Sequence, residues 1–141
     1  MTRGEIAEFF ARRDAAWHRH DVAALTADHT ENGEVQSPFY GDARGLRAVE
    51  EIYAMWFSSF PEVEYSTEHL LIEGNQAVQI VVMTGVHSGT FCGLAPTGRK
   101  FKIKCAFYFS FSGAKIAREV RIYDFTSLLL QVGALKAKPA F

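Results

Sequence analysis

The chain has 141 residues, 48% hydrophobic and 22% charged, which fits one globular domain over residues 1–141 with one core. Fifteen Lys and Arg against sixteen Asp and Glu leave a net charge of −1, which offers neither nucleic acid nor an anionic membrane a footing. No apolar run approaches the roughly 20 residues that span a bilayer, and Met1–Glu5 lacks a signal peptide's apolar core, so no membrane partner and a cytoplasmic location are expected.

Two helices come first. Ile6, Phe9, Phe10, Arg13, Ala16 and Trp17 recur at three- and four-residue steps, the spacing of an amphipathic helix. Thr2 is placed to cap it, with Glu5 completing a capping box. Asp21 caps a second, shorter helix through Ala27. A first strand is expected from His29 to Pro38, and Tyr40 to Gly45 reads as a loop. A third helix runs from about Gly45 to Phe60 on a wide apolar stripe of Leu46, Val49, Ile52, Tyr53, Trp56, Phe57 and Phe60, and Pro61 stops it.

The remainder is nearly all strand, over 63–72, 76–88, 100–112 and 115–123. Glu73-Gly74-Asn75 closes one hairpin and Gly113 another. In the third of these strands Phe101, Ile103, Cys105, Phe107, Phe109 and Phe111 alternate with Lys102, Lys104, Ala106, Tyr108 and Ser110, a period of two that buries one face. A short helix from Phe125 to Val132 follows, with Gly133 as its C-cap. Helices followed by a meander of long strands make an α+β fold, with helices packed on one face of a strongly bent sheet around an internal pocket.

Two residues stand out as catalytic candidates. Asp124 ends the last strand on the parity of Val120 and Ile122, an aliphatic face, where a carboxylate would be partly desolvated and its pKa raised toward usefulness in proton transfer. It also precedes a helix, where Asp is a favoured N-cap, and the helix dipole would push its pKa the other way. His87 lies near the end of a central strand, where a neutral imidazole could donate to a carbonyl or enolate oxygen. Its parity with Gln79, Val81 and Met83 leaves it open whether it faces the pocket or the outside. Trp17, Tyr53 and Trp56 face the sheet from the helices, and Phe107, Phe109, Trp56 and Ile122 are expected to close the pocket base. Glu119 and Arg121 share the opposite strand face and read as an exposed or interfacial pair. The outer face, carrying Tyr108, Tyr123, Ala106 and Val81 among its charges, is apolar enough for a homodimer interface. The two cysteines, Cys92 and Cys105, form neither a disulfide framework nor a metal spacing. With no H-E-x-x-H, C-x-x-C or Gly-rich phosphate loop, no metal or other cofactor is expected.

The segment from Gly85 onward, GVHSGTFCGLAPTG, resembles the G-x-H-x-G-x-F-x-G-x-x-P-T-G stretch of the SnoaL-like polyketide and ester cyclases. The resemblance continues through Gly113 to Ile116, Glu119 and Asp124, and into Leu128–Leu135. It implies the cone-shaped fold that ketosteroid isomerase, scytalone dehydratase and the nuclear transport factors share, and a homodimer that pairs through the outer sheet face. It also implies cofactor-free chemistry on a small apolar molecule, with Asp124 abstracting a substrate proton and returning it during an aldol closure. Pocket-lining polar residues are implied at His29, Asn32 and Gln36. This chain has Phe107 where many members have His or Asp, which makes the pocket drier. Val120 is smaller than the Trp or His common at its position, which deepens it. The rival readings are a non-catalytic module for an apolar ligand, and an isomerase, dehydratase or epoxide hydrolase of the same fold.

Overall fold

The computed structural model describes residues 1–137. Helix α1 (Arg3–His18) starts on the expected capping box: the Thr2 hydroxyl accepts the Glu5 N–H at 3.2 Å and the Glu5 carboxylate accepts the Thr2 N–H at 3.1 Å. Asp21 caps α2 (Val22–Ala27) by accepting the Ala24 N–H at 2.9 Å. Strand β1 (His29–Ser37) is followed by β2 (Gly41–Arg44), a short antiparallel partner where the sequence had read a loop. Helix α3 (Leu46–Ser59) then leads into β3 (Glu64–Glu73), β4 (Gln76–Val86), β5 (Lys100–Ser112) and β6 (Lys115–Tyr123), and the chain turns into α4 (Phe125–Val132). Gly133 ends α4 in the left-handed region at φ 81°, as its C-cap position requires.

The six strands form one sheet in the order β2-β1-β6-β5-β4-β3. Only the β1–β6 pair is parallel; the others are antiparallel. The fold is therefore α+β, with a mixed sheet whose inner face is covered by helices. Phe10 of α1 meets Phe109 at 4.9 Å between ring centroids, Phe9 meets Phe111 at 5.2 Å, and Trp17 stacks on Tyr65 at 4.6 Å.

Which face of each strand turns inward is decided by β5. Its Phe101–Phe111 alternation is buried throughout, as the sequence indicates. Residues opposite each other in a sheet point the same way, so the ladder carries that parity outward. Phe107 pairs with Gln79 of β4 and with Arg121 of β6, and Phe109 pairs with Glu119. Gln79, Val81, Met83, Glu119 and Arg121 therefore face in. Val78, Ile80, Val82, Val120 and Ile122 face out, and Ile122 is 61% exposed. This corrects the reading of β6: Ile122 cannot close a pocket base and Val120 cannot deepen one. Val81 and Tyr123, assigned to the outer face, lie inside. The more aliphatic face of both strands is the outer one, so apolarity alone selected the wrong side.

The segment 87–99 between β4 and β5 folds across the end of the sheet. Gly89 donates its N–H to the Ser59 carbonyl at 3.0 Å, and the Ser59 hydroxyl donates to the Thr90 carbonyl at 2.9 Å, which ties the segment to the end of α3. A Cβ on Gly89 would sit 1.9 Å from the Ser58 carbonyl oxygen, a backbone atom that cannot swing aside. Gly93 has φ 72° and open space around it. Urea unfolding should thus find Gly89→Ala destabilised by roughly 2 kcal/mol or more. Gly93→Ala, which meets only the left-handed backbone penalty, should cost about 1 kcal/mol.

Candidate functional site

The inside of the sheet holds a polar cluster beneath the helices. Glu119 of β6 is fully buried and is flanked by two guanidinium groups. Arg121 donates from Nε to Glu119 Oε1 at 3.0 Å, and Arg13 of α1 donates from Nη2 to the same oxygen at 3.4 Å. Tyr53 of α3 donates its hydroxyl to Glu119 Oε2 at 3.3 Å and accepts from Arg13 Nη2 at 2.6 Å. His29 of β1 places Nε2 3.0 Å from the same hydroxyl. Rings sandwich the guanidinium planes: Arg13 lies over Tyr53 and Phe109, and Arg121 lies 5.2 Å from the centre of Tyr53 and 5.6 Å from that of Phe107.

Burial would raise the Glu119 pKa, but Arg121 and then Arg13 overcome it and hold it down to about 2. His29 is displaced downward to about 3, first by burial and then by Arg13 and Arg121, against the opposing pull of Glu119. Its 3.5 Å approach to Glu119 is therefore a contact between a neutral imidazole and a carboxylate, not an ion pair. Burial raises the Tyr53 pKa, so the phenol stays protonated. The second carboxylate near the cluster is Asp28, whose Oδ2 is 3.8 Å from Arg13 Nη1 and whose Oδ1 accepts from the exposed Arg12 at 2.8 Å.

Toward the end where β4 and β6 finish, the lining becomes aromatic. Trp56 touches Phe60, Phe91 and Tyr123, with centroids 5.5 to 6.4 Å apart, and Phe125 lies 6.3 Å from Tyr123 and 5.4 Å from Phe39. His87 joins this cluster through Phe60 and Phe91 and is fully buried. The Thr97 backbone N–H points at its Nδ1 from 3.3 Å, and the Thr97 hydroxyl lies 2.9 Å from the same nitrogen. The Thr97 hydroxyl also lies 3.0 Å from the Val132 carbonyl, to which it donates, and because a backbone N–H can only donate the neutral ring is assigned with Nδ1 as the acceptor and Nε2 bearing the proton. That Nε2 is buried without a partner among the described residues.

Of the residues the sequence singled out, His29, Tyr53, Phe107 and Phe109 meet in or against the buried cluster. His87 and Trp56 meet in the aromatic one. Trp17 is fully buried against Tyr65, Tyr53 and Phe57, a core position. Asn32 is exposed. Gln36 is paired with the outward Val120 in the ladder and accepts from Arg118 at 2.8 Å, so it lies on the outer side. Asp124 caps α4 by accepting the Ser127 N–H at 2.8 Å and is exposed, so the desolvated carboxylate read from Val120 and Ile122 is not present. The residues missed are Arg13, Glu119, Arg121 and Tyr123. The Glu119–Arg121 pair, expected to be exposed or interfacial, is instead buried at the centre of the polar cluster. An arginine recurring within the apolar stripe of α1 was the signal that a buried acid had to face it.

Both displaced groups make acid destabilising. The folded-state pKa of His29 lies below its ordinary 6.5, so below that pH the unfolded chain takes up a proton that the folded one refuses until about pH 3. Glu119 adds the same sense of change below its ordinary 4.5. Unfolding free energy should thus be level between about pH 7 and 8 and fall toward acid by about 1.4 kcal/mol per pH unit for each such proton. His29→Gln should flatten the limb between pH 6.5 and 4.5. Glu119→Gln, which strands two buried guanidinium groups, should cost about 3 to 5 kcal/mol in urea titrations at pH 7.

The structure resembles AclR of Streptomyces galilaeus, a proposed hydroxylase, at 18% identity and a TM-score of 0.84, covering 99% of this chain and 91% of that one. It resembles IdmH of Streptomyces antibioticus, a proposed polyketide cyclase, at 21% identity and a TM-score of 0.75, covering 90% and 97%. A protein of Catenulispora acidiphila with a ketosteroid isomerase-like fold, solved in complex with trimethylamine, matches at 18% identity and a TM-score of 0.73 over 94% and 95%. At these identities the likeness establishes the fold. No curated protein matches in sequence. Among the described residues no helix is long and apolar enough to cross a membrane. The model of the SnoaL-like polyketide cyclases matches residues 7–132, and the chain belongs to that family.

Proposed function

We propose that the chain is a cofactor-free proton-transfer enzyme of the polyketide-cyclase type that acts on a small apolar carbonyl compound. The observation that carries this reading is His87. Its ring is anchored at Nδ1 by Thr97 and leaves Nε2–H buried and unused against the rings of Phe60 and Phe91. A fixed donor in an apolar surround stabilises the oxygen of an enolate more than that of a ketone, because charge develops there during proton abstraction. Asp124, at the rim beside Phe125, takes the acid–base role through the carboxylate oxygen that the cap leaves free. Glu119 is a poor base, since two guanidinium groups hold its pKa near 2.

The second reading, a binding module for an apolar ligand without turnover, is favoured by the same acids: one is tied up by arginines and the other stands in solvent. Deuterium exchange at the α-carbon of a cyclic ketone such as 2-tetralone separates the two. Wild type should accelerate the exchange, and His87→Gln should lose about 100-fold of that acceleration. Asp124→Asn should keep its melting temperature, since Asn caps about as well as Asp, while losing exchange activity to a similar degree. No acceleration by wild type, with a ring compound still raising the melting temperature, would leave the binding module standing.

We also propose that two copies pair through the outer sheet face. Leu71 and Ile122 are 63% and 61% exposed there, and Val78, Ile80, Val82, Ala106, Tyr108 and Val120 are half-buried around them. Light scattering at micromolar concentration should return twice the chain mass of 15.8 kDa, and Ile122→Asp should return the single mass. A monomeric wild type would refute the pairing. Two free cysteines, Cys92 exposed and Cys105 buried, are in keeping with a reducing, cytoplasmic compartment.

A further inference from the structure

Within the polar cluster Arg121 is the guanidinium group with the fewest partners. Two fully charged guanidinium groups, Arg13 and Arg121, converge on one oxygen of Glu119, and both side chains are enclosed by rings. Asp28 is shared with the exposed Arg12 and reaches only Arg13, at 3.8 Å. Arg121 itself makes a single hydrogen bond, from Nε to Glu119, and its Nη2 is buried without a partner among the described residues. Tyr123 follows two residues on along the same inward face, and its hydroxyl is likewise buried without a partner. A buried donor left unpaired is costly, and a buried cation more so. Arg13 Nε and Nη1, Trp17 Nε1 and His29 Nδ1 are unpaired as well, and what sets Arg121 and Tyr123 apart is that their two donors follow each other on one strand face, next to the half-buried rings of Phe125 and Phe39.

We propose that Arg121 and Tyr123 form a carboxylate-binding site, and that the ligand of the aromatic cluster is an apolar ring compound that bears a carboxylate. This rests on the reading of that cluster as the place of an apolar carbonyl compound, and it gives that compound a charge. The guanidinium supplies the Nη2 donor and the compensating charge, the phenol supplies the second donor, and the ring of the ligand lies among Trp56, Phe91 and Phe125. An outer cleft of about 560 Å³ lined by Phe39, Cys92, Leu94 and Phe125 adjoins this place. Phe39 and Phe125, both half-buried and 5.4 Å apart, form the wall between the cleft and Tyr123.

The test compares benzoate with methyl benzoate and acetate, by calorimetry in low-chloride buffer at pH 7. Benzoate should bind wild type about tenfold tighter than its neutral ester. That preference should vanish in Arg121→Met and shrink severalfold in Tyr123→Phe, with circular dichroism showing each variant folded. Should Arg121→Met not fold, Tyr123→Phe and Arg121→Lys carry the comparison, because a lysine keeps the charge and loses the planar fork. Equal binding of acid and ester by wild type overturns the carboxylate site and leaves the apolar cluster standing. A benzoate preference unchanged by all these variants also overturns it, because the anion is then held elsewhere. Binding of benzoate and acetate that depends on Arg121, without binding of the ester, supports the carboxylate site and instead removes the apolar reading. Binding of none of the three overturns both.

Discussion

Glu119 lies between two guanidinium groups in a space closed to water, and much of the inner architecture answers to that arrangement. The carboxylate is ionised because Arg121 and Arg13 sit against it, and the arginines are tolerated in the interior because the carboxylate, Tyr53 and the flanking rings surround them. These five groups come from four elements: Arg13 from α1, Tyr53 from α3, His29 from β1, and Glu119 and Arg121 from β6. The cluster thus fixes how the helices sit on the sheet, since a shift of any one element would strand a charge. Apolar packing alone tolerates such shifts far better.

The same arrangement divides the inside of the cone into two zones. Around Glu119 the carboxylate is fully engaged, although Arg13 Nε and Nη1, Trp17 Nε1 and His29 Nδ1 have no partner among the described residues, and further out the Asp14–Thr67–Gln79–Tyr65 set is closed by four hydrogen bonds of 2.5 to 2.9 Å. Toward the end of the sheet where β4 and β6 finish, His87 Nε2, Arg121 Nη2 and the Tyr123 hydroxyl are also buried without a partner among the described residues, and the rings of Phe39, Trp56, Phe60, Phe91 and Phe125 supply an apolar surround. A core gains nothing from such donors. A binding site gains direction from them, and at this end of the sheet they stand against aromatic rings.

Local rules recovered the elements well because the signals were local. The capping box at Thr2 and Glu5, the cap at Asp21, the glycine after α4 and the strict alternation of β5 each depend on residues a few positions apart. The facing of β4 and β6 did not follow from such signals. Both strands carry aliphatic residues on both sides, and the side with more of them turned out to be the outer one. What decides the matter is the register against β5, a long-range quantity that pairs Phe107 with Arg121 and Phe109 with Glu119. Once that pairing is known, the buried acid, its arginines and the outward Ile122 follow together. The error at Asp124 has the same root, since its expected desolvation was borrowed from the facing of Val120 and Ile122.

Phe107 shows how one residue connects these levels. Its ring faces inward, 2% exposed, between Tyr65 and Phe109 and under the Arg121 guanidinium. A polar group at this position would stand directly opposite Arg121 in the ladder. With phenylalanine in its place, Arg121 has only Glu119 across a hydrogen bond, and the aromatic face contributes attraction without a charge to neutralise it. The phenylalanine that keeps this part of the interior dry therefore also offers the guanidinium no hydrogen-bond acceptor. A drier surround strengthens any ion pair formed within it, so an anion arriving at Arg121 would meet a stronger field than it would beside a solvated arginine.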